Sequence, residues 1–118
     1  MSLDEKNIKE IFINELNFTP EEVDAYIFML KAKEFSAFNL SEQLKLDDAK
    51  VSLILDKFMK YGLIIRSIDN KYKCLHPRMG LTNVYKIWEQ DLIATMRRKR
   101  AKIELLVRNL TSKFENNE

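Results

Sequence analysis

Apolar residues in the first half of the chain recur every three or four positions, the rhythm of amphipathic helices. Ile8, Ile11, Phe12 and Leu16 mark a first helix ending near Asn17. Another start follows directly, because Thr19-Pro20-Glu21-Glu22 sets a capping hydroxyl before a first-turn proline and two acids, with capping-box spacing from Thr19 to Glu22. Val23, Tyr26, Ile27 and Leu30 form the apolar face of the helix it opens. Asn39 or Ser41 can begin a short third helix carrying Leu40 and Leu44, which stops near Leu46 where Asp47-Asp48 offers a turn and a fresh N-cap. The fourth helix then runs from about Asp48 to Tyr61, buries Val51, Ile54, Leu55 and Phe58, and ends at Gly62 in the left-handed conformation. Two short helices joined by a tight turn predict a helix-turn-helix.

Beyond Gly62 the pattern changes period. Leu63–Ile68 and Lys71–His76 are β-type runs around Asp69-Asn70, which reads as a hairpin closed by Pro77 and supplies the wing of a winged helix. From Leu81 to about Phe114 nothing breaks a helix again, which predicts a rod of roughly 50 Å. Along it Leu81, Tyr85, Trp88, Leu92, Ile103, Leu106, Leu110 and Phe114 form an apolar seam, interrupted at Thr95 and Lys99. A second copy of the same helix is the simplest partner for such a seam, in an antiparallel or coiled-coil-like pairing. The alternative is that Leu81–Leu92 packs on the chain's own core and the remainder is solvated. The expected class is mainly α with a small β-hairpin: a winged helix-turn-helix domain over residues 1–78, then a long dimerisation helix over 79–118.

Composition narrows the function. With 118 residues and 46% hydrophobic content the chain has room for one compact domain and one protruding element, not two domains. Apolar runs such as Leu63–Ile65 are far below the ~20 residues that span a bilayer, and Met-Ser-Leu-Asp-Glu-Lys is not a signal sequence. A cytoplasmic protein without membrane association is therefore expected, and Cys74 alone permits no internal disulfide. The net charge is only +2, so the distribution carries the information. Residues 1–24 are acidic, whereas Arg97, Arg98, Lys99, Arg100 and Lys102 form a basic run.

Several motifs also resemble one family. Leu16-Asn17-Phe18-Thr19-Pro20-Glu21-Glu22-Val23-Asp24-Ala25-Tyr26 is similar to the "LGLT-x-x-E-A-x-x-Y" opening of the TrmB-like archaeal transcriptional regulators. Leu40–Leu44 resembles their "ELA" helix, Lys50-Val51-Ser52 their "K-V-Y" recognition-helix start, Tyr61–Ile64 their "KGLV", and Lys71–Pro77 their "RYRAVPP" wing strand. The resemblance spans about residues 14–90 and implies DNA-binding transcription regulation. The chain departs from the pattern at Asp47-Asp48, where the family has Pro followed by Arg, Ser or Thr, and at Ser52, where it often has tyrosine. Larger members carry a C-terminal sugar-binding domain that 118 residues cannot hold, so a stand-alone DNA-binding module is implied.

Candidate residues follow from the elements. On the fourth helix Ala49, Lys50, Ser52, Leu53, Asp56, Lys57 and Lys60 face outward, and Lys50 and Ser52 are best placed for base edges or phosphates. In the wing, Arg66, Lys71 and Lys73 can neutralise phosphates, although strand alternation alone also puts lysines there. The DNA-binding set is Ala49, Lys50, Ser52, Lys57, Arg66, Lys71 and Lys73, and the dimerisation set is Leu81, Tyr85, Trp88, Leu92, Ile103, Leu106 and Leu110. Arg97–Lys102 can contact nucleic acid or serve only the helix pairing, for instance with Arg100 beside Glu104. No metal, cofactor or catalytic constellation is expected, since His76 and Cys74 are single and no glycine-rich phosphate loop occurs. A strand cysteine without a resolving partner reads as a small hydrophobe before it reads as a redox sensor. The expected partners are double-stranded DNA and a second copy. The rival is a winged-helix protein-interaction module without DNA binding, favoured by Asp47-Asp48 and outward Leu53.

Overall fold

The computed structural model describes residues 4–116, so Met1, Ser2 and Leu3 of the stretch read against a signal sequence lie outside the described residues. The elements run α1 Glu5–Asn14, α2 Pro20–Ala32, β1 Glu34–Ser36, α3 Ala37–Leu44, α4 Asp48–Lys60, β2 Ile64–Arg66, β3 Lys71–Cys74 and α5 Pro77–Glu115. Two compact units result, Met1–Val84 and Tyr85–Glu118, with the boundary inside α5.

In the first unit, caps fix where helices begin. Asp4 accepts from the Asn7 amide, and Thr19 and Glu22 form the full capping box, with Thr19 N donating to Glu22 Oε1 at 2.8 Å and Glu22 N to Thr19 Oγ1 at 3.1 Å. The third helix begins earlier than Asn39 or Ser41, because Ser36 caps it. Ser36 Oγ accepts from Asn39 N at 3.1 Å while Asn39 Oδ1 accepts from Ser36 N at 3.0 Å. Lys45, in the left-handed conformation, ends the helix, and Ser41 Oγ donates to Leu46 O at 2.7 Å across the turn into α4. Gly62, at φ +73°, ends α4's own turn, and Asn83 Nδ2 donates to its carbonyl at 2.8 Å.

The expected hairpin is present, but it belongs to a three-stranded antiparallel sheet of order β1-β3-β2. Asp69 and Asn70 both have positive φ and Lys71 N donates to Ile68 O at 3.1 Å, the geometry of a type I′ hairpin turn. The register Phe35↔Tyr72 and Ile64↔Cys74 places these four side chains on the core face, with the Phe35 and Tyr72 rings 5.9 Å apart. Beneath the helices the core is aromatic: Phe12, Phe18, Tyr26 and Phe58 meet pairwise at centroid distances from 5.1 to 6.0 Å. Val23, Met29, Leu40, Val51, Leu55 and Leu63 complete it, and Val84 is buried as well.

Helix α5 starts within the first unit, at Pro77 rather than Leu81, because Pro at the first helical position sacrifices no intrahelical bond, and from Tyr85 on it makes up the helical second unit. No helix is long and apolar enough to cross a membrane among the described residues.

Candidate nucleic-acid interface

Helix α4 presents the face expected of it. Val51, Ile54, Leu55 and Phe58 are buried, whereas Ala49, Lys50, Ser52, Asp56 and Lys60 are exposed and Leu53 is 70% exposed. Asp47 Oδ1 accepts from Lys50 N at 2.8 Å, so the helix consumes one of its own free N-terminal donors. Lys50 Nζ lies 3.7 Å from Glu21 Oε1, with both side chains about half exposed. Such a pair costs little to open, and the ammonium remains available to a ligand.

Lys57 stands apart from the other outward residues. Its Nζ is 2.9 Å from Glu22 Oε1 and 5.1 Å from the centroid of the Phe18 ring. The Glu22 side chain is only 12% exposed, so Lys57 supplies the cation that a nearly buried carboxylate requires. The same Oε1 accepts from the Thr19 amide at the start of α2, and Lys57 therefore joins α4 to the α2 cap.

In the wing the structure separates the three cations. Cross-strand partners share a face, so Arg66, opposite Tyr72, lies on the core side of the sheet and sets its guanidinium 5.6 Å from the Tyr72 ring centroid. Lys71 and Lys73 occupy the other face with Ile65, where β1 contributes Ser36 and Glu34. Glu34 was not singled out in the sequence, yet its Oε1 lies 3.9 Å from Lys71 Nζ and its Oε2 accepts from Ser67 Oγ at 3.3 Å. The wing cations thus face a carboxylate from a strand with no sequence signal of its own. Ile68, just before the turn, is 75% exposed and sets one apolar side chain beside the polar Asp69-Asn70 tip.

Cys74 is half-buried, and desolvation pushes its thiol up to about 11, so little thiolate exists near neutrality. Tyr26 OH is buried without a hydrogen-bond partner, and its burial raises the phenol above its usual range. Among the described residues no cluster of three His, Cys, Asp or Glu side chains could hold a metal ion.

Along α5, Leu81 and Trp88 are partly covered, while Tyr85, Leu92, Ile103, Leu106, Leu110 and Phe114 are each more than half exposed. The basic run Arg97–Lys102 is exposed throughout.

The order α3, turn, α4, hairpin is matched by a family model, "Sugar-specific transcriptional regulator TrmB", over residues 13–79, more than half of the chain. This chain belongs to the TrmB family. Among solved structures it is similar to TrmBL2, an archaeal chromatin protein, with a TM-score of 0.73 at 17% identity over 98% of this chain. The match shows the fold, and the TrmB-family chain spans 45% of that protein's length. The oxidized form of MarR from E. coli aligns with a TM-score of 0.47 at 16% identity, over 83% of this chain and 87% of that one. No curated protein sequence matches. The TrmB match covers α2 to the start of α5 and so includes α4 and the whole wing.

Proposed function

We propose that this chain is a cytoplasmic transcriptional regulator that binds double-stranded DNA sequence-specifically as a homodimer. The observation that carries the reading is the uncovered face of α4, Ala49, Lys50 and Ser52, within a helix-turn-helix of the TrmB family. The structural relative TrmBL2 is described as having a mode of DNA binding, which agrees with that assignment. Lys50 and Ser52 read base edges, while Lys71 and Lys73 neutralise phosphates from the outer face of the wing. Arg66 contributes from the other face, and Lys57 acts through the position of α4 instead of by contact. The winged helix-turn-helix domain is assigned to residues 1–78 and the dimerisation helix to 79–118, although compact packing carries the first unit on to Val84. The α5 seam, with the partly covered Leu81 and Trp88 and the exposed Tyr85, Leu92, Ile103, Leu106 and Leu110, holds the two copies together. No catalytic role is assigned.

A titration of labelled duplexes by fluorescence anisotropy at two salt concentrations tests this. Lys71→Ala with Lys73→Ala should weaken all duplexes alike and flatten the salt slope by roughly one to two units per protomer. Lys50→Ala with Ser52→Ala should instead cost ~1–3 kcal/mol more on the preferred site than on random duplex. Unchanged binding in both would remove DNA from this face. The 70% exposure of Leu53, on a helix that opens with Asp47 and Asp48, favours a second reading as a protein-docking helix, which absence of duplex binding at low salt would select.

A further inference from the structure

We propose that α5 pairs with its own copy in antiparallel orientation, the first half of one helix against the second half of the other, in the register that places Glu89 and Asp91 along the other copy's Arg97–Lys102 run. The inference rests on the homodimer reading above and gives it a direction and a register.

The first ground is the spacing of the seam. Forward from Tyr85 the steps to Trp88, Leu92 and Thr95 are three, four and three residues. Backward from Leu106 the steps to Ile103, Lys99 and Met96 are three, four and three again. The seam therefore reads the same in both directions about the bond between Thr95 and Met96. A parallel in-register pair would match any seam, so this symmetry fixes the register of an antiparallel pair and leaves the choice of orientation to the charges. In an antiparallel pair it sets Tyr85 opposite Leu106, Trp88 opposite Ile103, Leu92 opposite Lys99 and Thr95 opposite Met96. Tyr85, Leu92, Met96, Ile103 and Leu106 are 57–66% exposed in the single chain, so this surface lacks a partner.

The second ground is charge. A parallel, in-register pair lays five cations within six residues against the same five, which repel. The antiparallel register about Thr95–Met96 slides each basic run ~11 Å past its copy and onto the acidic positions. Glu89 then flanks Arg100, and Asp91 sits between Arg98 and Lys102. Another antiparallel register, with Leu92 opposite Ile103 and Trp88 opposite Val107, would also match apolar residues. It would bring Lys99 to within ~5 Å, along the axis, of its own copy and remove Glu89 from any cation. Lys99 in the chosen register lays its alkyl stem on Leu92 and turns its ammonium outward. The third ground is that Met96 is the central residue of α5, so two helices in this register overlap along their whole length.

Disulfide trapping tests the register in full-length protein carrying Cys74→Ser. Tyr85→Cys and Leu106→Cys chains, distinguished by a mass tag, are refolded together and oxidised mildly with copper–phenanthroline. The mixed pair should cross-link at least tenfold more than either variant alone. Glu89→Lys with Asp91→Lys, at exposed positions, should raise the dimer dissociation constant at least tenfold in sedimentation equilibrium. Efficient self-linking of Tyr85→Cys overturns the antiparallel orientation, and preferential linking of Leu92→Cys to Ile103→Cys overturns the register. Either result leaves the homodimer standing. Light scattering that gives a monomer for the unaltered chain removes the homodimer itself.

Discussion

Replacing Lys57 by alanine distinguishes a lysine that holds the fold from one that meets only solvent. Lys57 Nζ lies 2.9 Å from Glu22 Oε1, with the two side chains 31% and 12% exposed. Exposed ion pairs contribute ~0.2–1 kcal/mol, whereas truncating one partner of a fully buried pair costs ~3–5 kcal/mol by stranding the other charge. This pair lies between those limits. The remaining carboxylate would keep the Thr19 amide but no cation, and the contact with the Phe18 ring, ~0.5 kcal/mol, would also be lost. We expect Lys57→Ala to destabilise the fold by ~2 kcal/mol. With an m-value near ~2 kcal/mol/M, the urea midpoint should fall by about 1 M in circular dichroism titrations. Lys50→Ala is the control, because the Lys50–Glu21 pair is 3.7 Å apart and half exposed on both sides. Its removal should change stability by less than ~0.5 kcal/mol. Equal effects of the two substitutions, or a Lys57→Ala midpoint within ~0.2 M of the unaltered protein, would refute this assignment.

Gly62→Ala should lower the thermal midpoint by roughly 10 °C in a calorimetric scan, because φ of +73° disfavours a side chain and the added Cβ would lie 2.7 Å from Asn83 Nδ2, displacing the bond that nitrogen donates to the Gly62 carbonyl. Leu106→Glu with Leu110→Glu should give a monomer by light scattering while the far-ultraviolet signal and melting of the winged-helix unit stay unchanged, since both residues are more than half exposed in the single chain.

The helices were legible where local chemistry decides them. The Thr19–Glu22 box, the Asp47 cap and Gly62 are each settled by residues within one turn, and sequence and structure agree there. The start of α3 was harder to see because Ser36-x-x-Asn39 closes its box with an amide, where the familiar signature has Glu or Gln. Strand β1 left no trace in the sequence, since three residues with Phe35 as the single apolar member cannot show alternation. Its consequence reaches the candidate site, because Glu34 faces Lys71 only through long-range pairing with β3. The opposite face of Arg66 follows from period-2 alternation, once the register set by the Asp69-Asn70 turn is known. The environment of Lys57 was out of reach: a helical wheel turns it outward, and the proximity of Glu22 depends on how α2 crosses α4.

The acidic entry to α4 constrains how a nucleic acid could be bound. In many anion sites the free amides of a helix N-terminus receive the phosphate. Here Asp47 already occupies the Lys50 amide, and Asp48 adds a second negative charge in the first turn. Both satisfy the helix dipole internally, and both repel a phosphate at that position. On the proposed reading, phosphate contacts would then fall to side chains, Lys71 and Lys73 on the outer face of the wing, and the exposed α4 side chains would be left to the base edges. A net charge of only +2 fits that reading, because it would keep non-specific attraction low and make affinity depend more heavily on any positions that read sequence.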